Sequence, residues 1–293
     1  MVYKLVYFLF FLSFSFTSWI QNPSPLLTRP FDAKSAALGG INSFERSDVT
    51  SIQFSYSSSD ETIFEESSIL FKQDSKSYYL SYFGVPNLDN TIDAWSDNGD
   101  GIPTSDEIDY TRITSFDYRS INFTYPVQKF VSSLEFWPKF SFSSLYGQSA
   151  YSVGFSIAKR LSYKNTHLLL FIHDAISTKW WSTDRKEMYL PFLELIVNMN
   201  HNNMRILLDG ILSNNEFHGR LGADVHIHKN LSLRGGYESS GVFSFGMGIK
   251  LNFIELDIAV VPSDIEHPFK PTQQFTLKLL TDKVRSATKG LSP

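Results

Sequence analysis

Polar and apolar residues alternate almost without a break between residues 219 and 260. Successive side chains of a β-strand point to opposite faces, so this period of two predicts strands with one apolar and one polar face. Each run is roughly ten residues long, which is the length that a tilted strand needs to cross a bilayer. In the first run, one face carries Leu221, Ala223, Val225 and Ile227, and the other carries Arg220, Gly222, Asp224, His226 and His228.

The composition is consistent with strands that cross a membrane. Aromatic residues make up 15% of the 293 residues, as expected of a chain with lipid-facing Phe and girdles of Tyr and Trp. The mean hydropathy of −0.14 excludes a helical membrane bundle but not a barrel, because half of each barrel strand faces a polar lumen. The net charge of −4 does not favour binding to nucleic acid. The absence of cysteine excludes disulfides, thiol catalysis and a lipid anchor on an N-terminal cysteine.

The start of the chain has the pattern of a secretory signal peptide. Residues 1–18 contain one lysine, Lys4, followed by an apolar run over residues 5–16. The alternative is an uncleaved membrane anchor, but the run is shorter than the ~20 residues of a spanning helix. We therefore divide the chain into a signal peptide (1–18), an N-terminal segment (19–46), a barrel (47–281) and a polar C-terminal tail (282–293).

The pattern predicts an all-β fold, a closed antiparallel transmembrane β-barrel of about 14 strands, with a range of about 12–14 and a short N-terminal segment in the lumen. The sheet is expected to close on itself because a bilayer does not tolerate open strand edges. Tight turns at 229–230 and 252 alternate with longer connections such as 262–271, which matches the short periplasmic turns and long outer loops of bacterial barrels. Residues 84–109 are expected to form the longest loop.

Residues 29–40 read RPFDAKSAALGG and are predicted to fold into the lumen as a hatch. The alanines permit a short helix that ends at Gly39, because glycine commonly terminates helices. The small residues of this segment would pack against glycines on the lumen face of the strands, namely Gly222, Gly236, Gly246 and Gly248. The alternative is a disordered periplasmic leader.

Residues 96–107 read SDNGDGIPTSDE and are similar to a calcium-binding loop of the EF-hand type. Oxygen ligands at alternating positions suit a hard cation, and Gly101 would allow the sharp turn. The first ligand position carries Ser96 instead of the usual Asp. The alternative is a solvated acidic loop outside the membrane. The candidate ligands are Asn98, Asp100, Ile102 through its backbone carbonyl, and Glu107.

The alternating run also places Asp224, His226 and His228 on one strand face. A His-x-His pair on a strand can ligate zinc. The alternative is a lumen face that must be polar because the opposite face contacts lipid. We favour this alternative, because the sequence locates no third strong ligand.

His167, His173 and Asp174, together with the abundant serines, could be assembled into a hydrolase triad. The sequence has no G-x-S-x-G elbow to present a nucleophilic serine. We therefore predict that the chain is not an enzyme, with an outer-membrane lipase as the alternative. That alternative predicts a Ser–His pair at the bilayer boundary.

Tryptophans are expected at the boundaries of the membrane, since interfacial Trp prefers the headgroup level. Trp180 and Trp181 follow a predicted strand and fit such a girdle, with ligand stacking as the alternative. Phe136, Trp137 and Pro138 are predicted to mark a second boundary.

Three parts of the sequence carry recognisable motifs: residues 29–40 with 47–49 read RPFDAKSAALGG and SDV, residues 231–238 with 246–252 read LSLRGGYE and GMGIKLN, and residues 253–259 and 273–280 form the last two predicted strands. These parts resemble the PorV/PorQ family of outer-membrane proteins, which are relatives of the FadL-type fatty-acid transporters. That family typically opens its mature chain with a DARxxALGG-like segment and a nearby Asp. It ends with an LRGGY-type strand, a Gly-alternating strand and two closing strands. Where the family continues with an Asn-Pro-Ala-Gly-like turn, this chain reads FSYSS from Phe54 to Ser58.

The resemblance implies a barrel in the bacterial outer membrane that contacts outer-membrane lipid. Some members of the family serve type IX secretion as shuttle or attachment components, and others move hydrophobic molecules. We therefore expect a monomeric, secretion-associated envelope component that docks a partner through outer loops such as 84–109 and 262–271. The alternative is a transporter of fatty-acid-like small molecules across the outer membrane. A soluble secreted barrel with inverted faces is a further alternative, and calcium is the one cofactor that the sequence suggests.

Overall fold

The computed structural model describes residues 18–20, 29–42, 49–59, 64–73, 76–91, 93, 94, 96, 107–131, 134–213, 216–262 and 271–282. Residues 1–17 of the predicted signal peptide and 283–293 of the predicted tail lie outside these ranges. Within them, no helix is long and apolar enough to cross a membrane. The elements are β1 (Ser18–Ile20), α1 (Ala33–Ala37), β2 (Ser51–Ser59), β3 (Glu65–Gln73), β4 (Lys76–Asn90), a 3-10 helix (Tyr110–Arg112), β5 (Thr114–Thr124), β6 (Val127–Val131), β7 (Leu134–Leu145), β8 (Gln148–Tyr163), β9 (Thr166–Trp181), β10 (Lys186–Tyr189), β11 (Phe192–His201), β12 (Met204–Ser213), β13 (Glu216–His228), β14 (Leu231–Glu238), β15 (Phe243–Lys250), β16 (Ile254–Val261) and β17 (Thr272–Leu280).

Fourteen of the strands in the described ranges form a closed antiparallel ring. Neighbours in the ring follow one another along the chain, except that β5 pairs with β7 and β9 pairs with β11. The ring closes between β17 and β2, where Thr272 lies opposite Ser59 and Leu280 lies opposite Ser51. Three short strands lie beside the ring: β6 pairs with β7, β10 pairs with β9, and β1 runs parallel to β10. The predicted all-β closed barrel with about 14 strands is therefore confirmed.

The side chains of the barrel segregate by face as the alternation predicts. Leu208, Leu221 and Phe245 point outwards, with 41%, 46% and 58% of their surface exposed. Their sequence neighbours Asp209 and Arg220 are buried in the lumen. A soluble barrel would place its apolar face inside, so the outer face of this barrel contacts lipid. A closed barrel with an apolar exterior and a polar interior is the architecture of proteins that span the bacterial outer membrane. This protein therefore resides in that membrane.

The two ends of the barrel differ in their connections. In bacterial barrels the tight turns face the periplasm and the longer loops face outwards, which assigns the two ends here. The rule has exceptions in this chain, because the nine-residue connection 125–133 lies at the periplasmic end and the two-residue turn 146–147 lies at the outer end. Periplasmic turns are 164–165, 202–203, 229–230 and 251–253, and outer connections include 91–113, 182–191 and 239–242.

The loop predicted over residues 84–109 begins later than expected, because β4 continues to Asn90. The pairing of β4 with β5 shifts register between Val85 and Leu88, and Asn87 in this bulge has a φ of 55°. A bulge accommodates Pro86, which has no backbone N–H to donate to the ladder. The prediction was wrong for residues 84–90, because a proline in a bulge does not end a strand.

Candidate functional site: a plugged lumen

Residues 29–42 form a plug inside the barrel, and this confirms the predicted N-terminal lumen segment. Helix α1 begins after Asp32, whose Oδ1 accepts a hydrogen bond of 2.7 Å from the backbone N–H of Ser35. The helix ends at Ala37, two residues before the predicted end at Gly39. Gly39 and Gly40 follow with φ values of 74° and 81°, a left-handed conformation that glycine adopts at little cost. The chain can therefore reverse sharply inside the narrow lumen.

The plug packs against glycines of the barrel wall. The sequence predicts four such glycines, and the structure confirms three of them. A Cβ at any of these three glycines would collide with the plug, so the plug lies directly on the backbone of the wall. Gly248 has a different role, because the space beside it is taken by Arg234 and Asp257. The contacting pairs are Gly222 with Leu38, Gly236 with Gly39, and Gly246 with Ala37.

Hydrogen bonds from the wall satisfy polar backbone groups of the plug. Buried N–H and C=O groups without partners are costly, so a segment inside a lumen requires such bonds. They come from β13, β15, β17 and β3, which lie within one half of the ring, and they fix the position of the plug against that wall. The bonds are Ala33 N–H to Thr276 Oγ1 (2.9 Å), Gly39 N–H to Ser244 Oγ (3.0 Å), Arg220 Nη1 to the Gly40 carbonyl (2.7 Å) and Ser68 Oγ to the Phe31 carbonyl (3.0 Å).

A cluster of charged side chains lies beside the plug, and Asp224 is at its centre. The Asp224 carboxylate is buried and lies 3.4 Å from Arg234 Nε, 3.8 Å from Lys34 Nζ and 3.9 Å from Arg205 Nη2. Arg234 also pairs with Asp257, at 2.5 Å between Nη1 and Oδ1. We call these five side chains the charge cluster. Because removing one partner of a buried pair leaves an uncompensated charge, the cluster ties Lys34 of the plug to the wall.

The two charged residues of the plug respond to this environment in opposite ways. Burial lowers the pKa of Lys34 from 10.5 to about 8, and the nearby Arg205 guanidinium lowers it further while Asp224 raises it. Burial alone would raise the pKa of Asp32. Hydrogen bonds from Ser35 and Gln53 outweigh that effect and hold the Asp32 pKa below its ordinary value of 3.8. Asp32 is therefore a stable anionic cap, whereas Lys34 titrates more easily than an exposed lysine.

On its other side the plug contacts an apolar patch of the lumen. Leu38 and Ile41 are fully buried and join a cluster of side chains from β7, β8, β9, β11 and β12. Trp137 belongs to this patch, with 5% of its surface exposed and its ring centroid 5.4 Å from that of Phe171. The predicted membrane boundary at Phe136, Trp137 and Pro138 was therefore wrong for Trp137, which faces the lumen. The plug thus contacts a polar wall on one side and an apolar wall on the other.

The described residues line a cavity on each side of the plug. The lower cavity, of about 210 Å³, opens towards the periplasmic turns and is lined by charged side chains such as Lys72, Arg160 and Lys278. The upper cavity, of about 100 Å³, lies towards the outer loops, and five of its twelve lining residues are serines. Phe31 of the plug stacks on Tyr79 with ring centroids 4.3 Å apart. Tyr79 lines the lower cavity and Ser81, two residues along β4, lines the upper one, so this aromatic pair lies between them.

The calcium and zinc hypotheses have different outcomes. Asn98, Asp100 and Ile102 lie outside the described residues, so the calcium loop stays a prediction. Of the fourth candidate ligand, Glu107, the backbone carbonyl accepts a hydrogen bond of 3.0 Å from Ser96 N–H. For zinc, the residues that the structure describes contain no group of three or more His, Asp or Glu arranged to hold a metal ion. Asp224 belongs to the charge cluster, which agrees with the interpretation of this face as a polar lumen.

The residues considered for a hydrolase triad do not pair with one another. His173 is fully buried between the rings of Phe171 and Phe192, and its Nε2 lies 2.5 Å from Glu194 Oε2. Asp174 instead pairs with Lys139. His167 Nδ1 lies 2.9 Å from Ser162 Oγ at the periplasmic end of β8 and β9. This is a Ser–His pair near the bilayer boundary, but among the described residues no carboxylate pairs with His167 to orient it.

The two adjacent tryptophans at the outer end of β9 face opposite ways. Trp180 lies outside the barrel, with its ring centroid 6.1 Å from that of the exposed Tyr151, and fits the predicted girdle. Trp181 faces the other way, and Lys179 Nζ lies 4.4 Å from the centroid of its ring. The girdle interpretation therefore holds for Trp180 alone.

Sequence reasoning missed the apolar lumen patch and the extent of the charge cluster. A signal for the patch was present in residues 168–172, which read LLLFI and are apolar on both faces of the strand. A signal for the cluster was present in Arg205, Asp224 and Arg234, which lie on the polar face of three successive strands. Charges of opposite sign on one lumen face predict ion pairs across strands.

No protein-family model matches the chain, and no curated protein matches its sequence. Similar solved structures include the outer membrane protein Omp33 of Acinetobacter baumannii, which aligns over 82% of this chain and 100% of its own, with 8% identity and a TM-score of 0.43. A ΔS2S3 mutant of the TodX monoaromatic hydrocarbon channel aligns over 90% and 95%, with 12% identity and a TM-score of 0.42. The KdgM porin in complex with disordered oligogalacturonate aligns over 78% and 98%, with 10% identity and a TM-score of 0.34. These scores do not bear on what the chain binds.

Proposed function

We propose that this protein is a partner-docking component of the outer membrane, associated with a secretion apparatus, and that its barrel serves as a closed platform. The observation that carries the proposal is the plug. Residues 29–42 contact a charged wall on one side and an apolar patch on the other. Their backbone is hydrogen-bonded to side chains of β17, β15 and β3. A platform that carries a partner at its outer end needs a lumen that does not leak.

The chemistry of the cavities argues against the transport of hydrophobic molecules through the lumen. The lower cavity contains the ion pairs Arg160–Glu135, at 2.6 Å, and Lys278–Glu255, at 2.8 Å. An apolar ligand that displaced water from these groups would desolvate them without replacing their hydrogen bonds, which is costly. The upper cavity is lined by hydroxyl groups. A fatty-acid-like substrate would need a continuous apolar path, and neither cavity supplies one.

The outer connection 91–113 offers a candidate docking element. Its two limbs are joined by hydrogen bonds from Ser96 N–H to the Glu107 carbonyl (3.0 Å) and from Asp109 N–H to the Ala94 carbonyl (2.8 Å). Tyr110, which follows this base, has 64% of its surface exposed. Exposed Tyr and Arg residues are enriched among those that carry binding energy in protein interfaces. Arg112 stands beside Tyr110 on the same 3-10 helix and pairs with Asp109 at 3.1 Å.

The proposal is tested by mild detergent extraction from the native envelope followed by affinity capture of the tagged protein. We expect secretion-machine subunits with the wild type and their loss with the double variant Tyr110→Ala and Arg112→Ala. Tyr163→Ala is the matched control, because Tyr163 is also exposed, at 73%, but lies at the periplasmic end. Recovery of a barrel that carries a bound fatty-acid-like molecule and no protein partner would instead support the transporter.

A further inference from the structure

The upper cavity has the construction of a binding site for a small polar ligand. It lies between the plug and the outer loops, and Arg29 of the plug, Phe83 of β4 and Tyr189 of β10 contribute to its lining. The Arg29 guanidinium stacks on Phe83, with its carbon 3.7 Å from the ring centroid. Glu66 in the same lining carries the opposite charge to Arg29. The strand β10, which supplies Tyr189, folds back from the barrel rim and pairs with β9.

One wall of the cavity is a network of hydroxyl groups on adjacent strands. Serine hydroxyls both donate and accept hydrogen bonds, and their hydrogens rotate to suit a ligand. The wall can therefore exchange its internal hydrogen bonds for bonds to the hydroxyl or carboxylate oxygens of a ligand. The network comprises Ser143 to Ser120 (3.2 Å), Ser120 to Asn122 Oδ1 (3.4 Å), Asn122 Nδ2 to Ser81 (3.4 Å) and the pair Ser141 and Ser152 (2.5 Å).

A buried lysine gives the cavity its charge. Lys179 lines the cavity with 6% of its surface exposed, and its partner within the described residues is the face of the Trp181 ring. An ammonium group has three donors, and a ring face does not satisfy them. Glu187, which lies opposite Lys179 on β10, is paired with Arg185 at 3.0 Å between Nε and Oε1. A buried charge of this kind calls for an anionic partner.

We propose that the upper cavity binds a small hydroxylated carboxylate. The carboxylate would pair with Lys179, and the hydroxyl groups would bond to the serine network and to Tyr189. The cavity volume of about 100 Å³ suits a small ligand. This inference does not rest on the docking proposal, because the cavity lies inside the barrel and not on loop 91–113.

Isothermal titration calorimetry of the purified full chain in detergent tests the site, with D-glycerate as the probe. We expect saturable binding by the wild type and at least a tenfold loss of affinity in Lys179→Gln. Glycerol, which has the hydroxyl groups but no charge, should give no measurable binding. Lys164→Gln is the matched control, since Lys164 is exposed on a periplasmic turn and should leave the affinity unchanged.

A second variant keeps the proposal falsifiable if Lys179→Gln does not fold. The double variant Ser120→Ala and Ser143→Ala retains Lys179 but removes part of the hydroxyl wall. We expect it to weaken binding of glycerate several-fold while acetate binding changes little. The proposal is overturned if the wild type shows no glycerate binding, or if glycerate binds equally to the wild type and to the folded variants.

Discussion

Arg220 Nη1 donates a hydrogen bond of 2.7 Å to the carbonyl oxygen of Gly40, which lies 180 positions earlier in the chain. Nε of the same guanidinium lies 3.2 Å from Asp209 Oδ2 on the neighbouring strand. One buried side chain therefore joins two barrel strands to the plug. Such a charge-assisted bond is about twice as strong as a neutral one, so removing it affects the plug and the wall together.

A side chain at Gly236 should displace the plug. A Cβ there would overlap the backbone of Gly39, which cannot move without breaking its hydrogen bond to Ser244. We expect Gly236→Val to produce stepwise ion conductance in planar bilayers where the wild type is closed. Gly235→Val is the matched control, because the nearest atom to its Cβ would be 3.9 Å away, and it should stay closed. Equal conductance in both variants would contradict the described docking of the plug.

Loss of the carboxylate at the centre of the charge cluster should destabilise the barrel. Asp224→Asn leaves Arg234, Arg205 and Lys34 with an uncompensated excess of buried positive charge. We expect the free energy of unfolding to fall by about 3–5 kcal/mol, measured by urea denaturation in detergent. Adding Lys34→Met should recover part of this loss. Asp117→Asn, at an exposed ion pair, is the control and should leave the stability unchanged.

Docking of the plug should depend on alkaline pH through Lys34. Burial lowers the Lys34 pKa in the docked plug to about 8, while the exposed lysine of a released plug titrates near 10.5. The released state therefore binds more protons between these values, and docking strengthens as the pH rises from 8 to 10.5. We expect protection of the plug from added protease to increase across this window. The same experiment on Lys34→Met should show a smaller increase, and an identical pH profile would contradict the assignment to Lys34.

Removing the ring of Tyr79 should connect the two cavities. Tyr79 is 4% exposed and stacks on Phe31 between the lower and the upper cavity. We expect Tyr79→Ala to give a small, steady ion leak while the plug keeps its protection from protease. Tyr78→Ala, which changes the adjacent lipid-facing residue, should give no leak. A leak from both variants would indicate general loosening of the barrel wall.

The sequence predicts this fold well where one face of a strand is apolar and the other is polar. Residues 219–251 show that pattern, and the positions assigned to the lumen there, such as Arg220 and Asp224, are buried as expected. The alternation fails where the lumen itself is apolar. Trp137 and Phe171 face inwards, so the segments 136–138 and 168–172 are apolar on both faces and their sequence does not reveal which face is which.

The site was partly predictable for a similar reason. The small residues of the plug and the glycines at 222, 236 and 246 are complementary in size, and that complementarity can be read from sequence. The pairing of charges cannot be read in the same way, because it depends on register and on bulges. Asp174 has a φ of 48° at an irregularity between β8 and β9. This local geometry pairs Asp174 with Lys139 and leaves its neighbour His173 with Glu194.

The central claim is that the apolar face of the strands contacts lipid and the polar face lines a plugged lumen. The chain has no cysteine, so single cysteines at residues 140 to 143 of β7, which do not touch the charge cluster, can be spin-labelled without background. Electron paramagnetic resonance in lipid vesicles then measures the accessibility of each label to oxygen, which concentrates in the bilayer. We predict high accessibility at 140 and 142 and low accessibility at 141 and 143. The opposite alternation, or a protein that stays folded and dispersed without detergent, would contradict the assignment of the two faces.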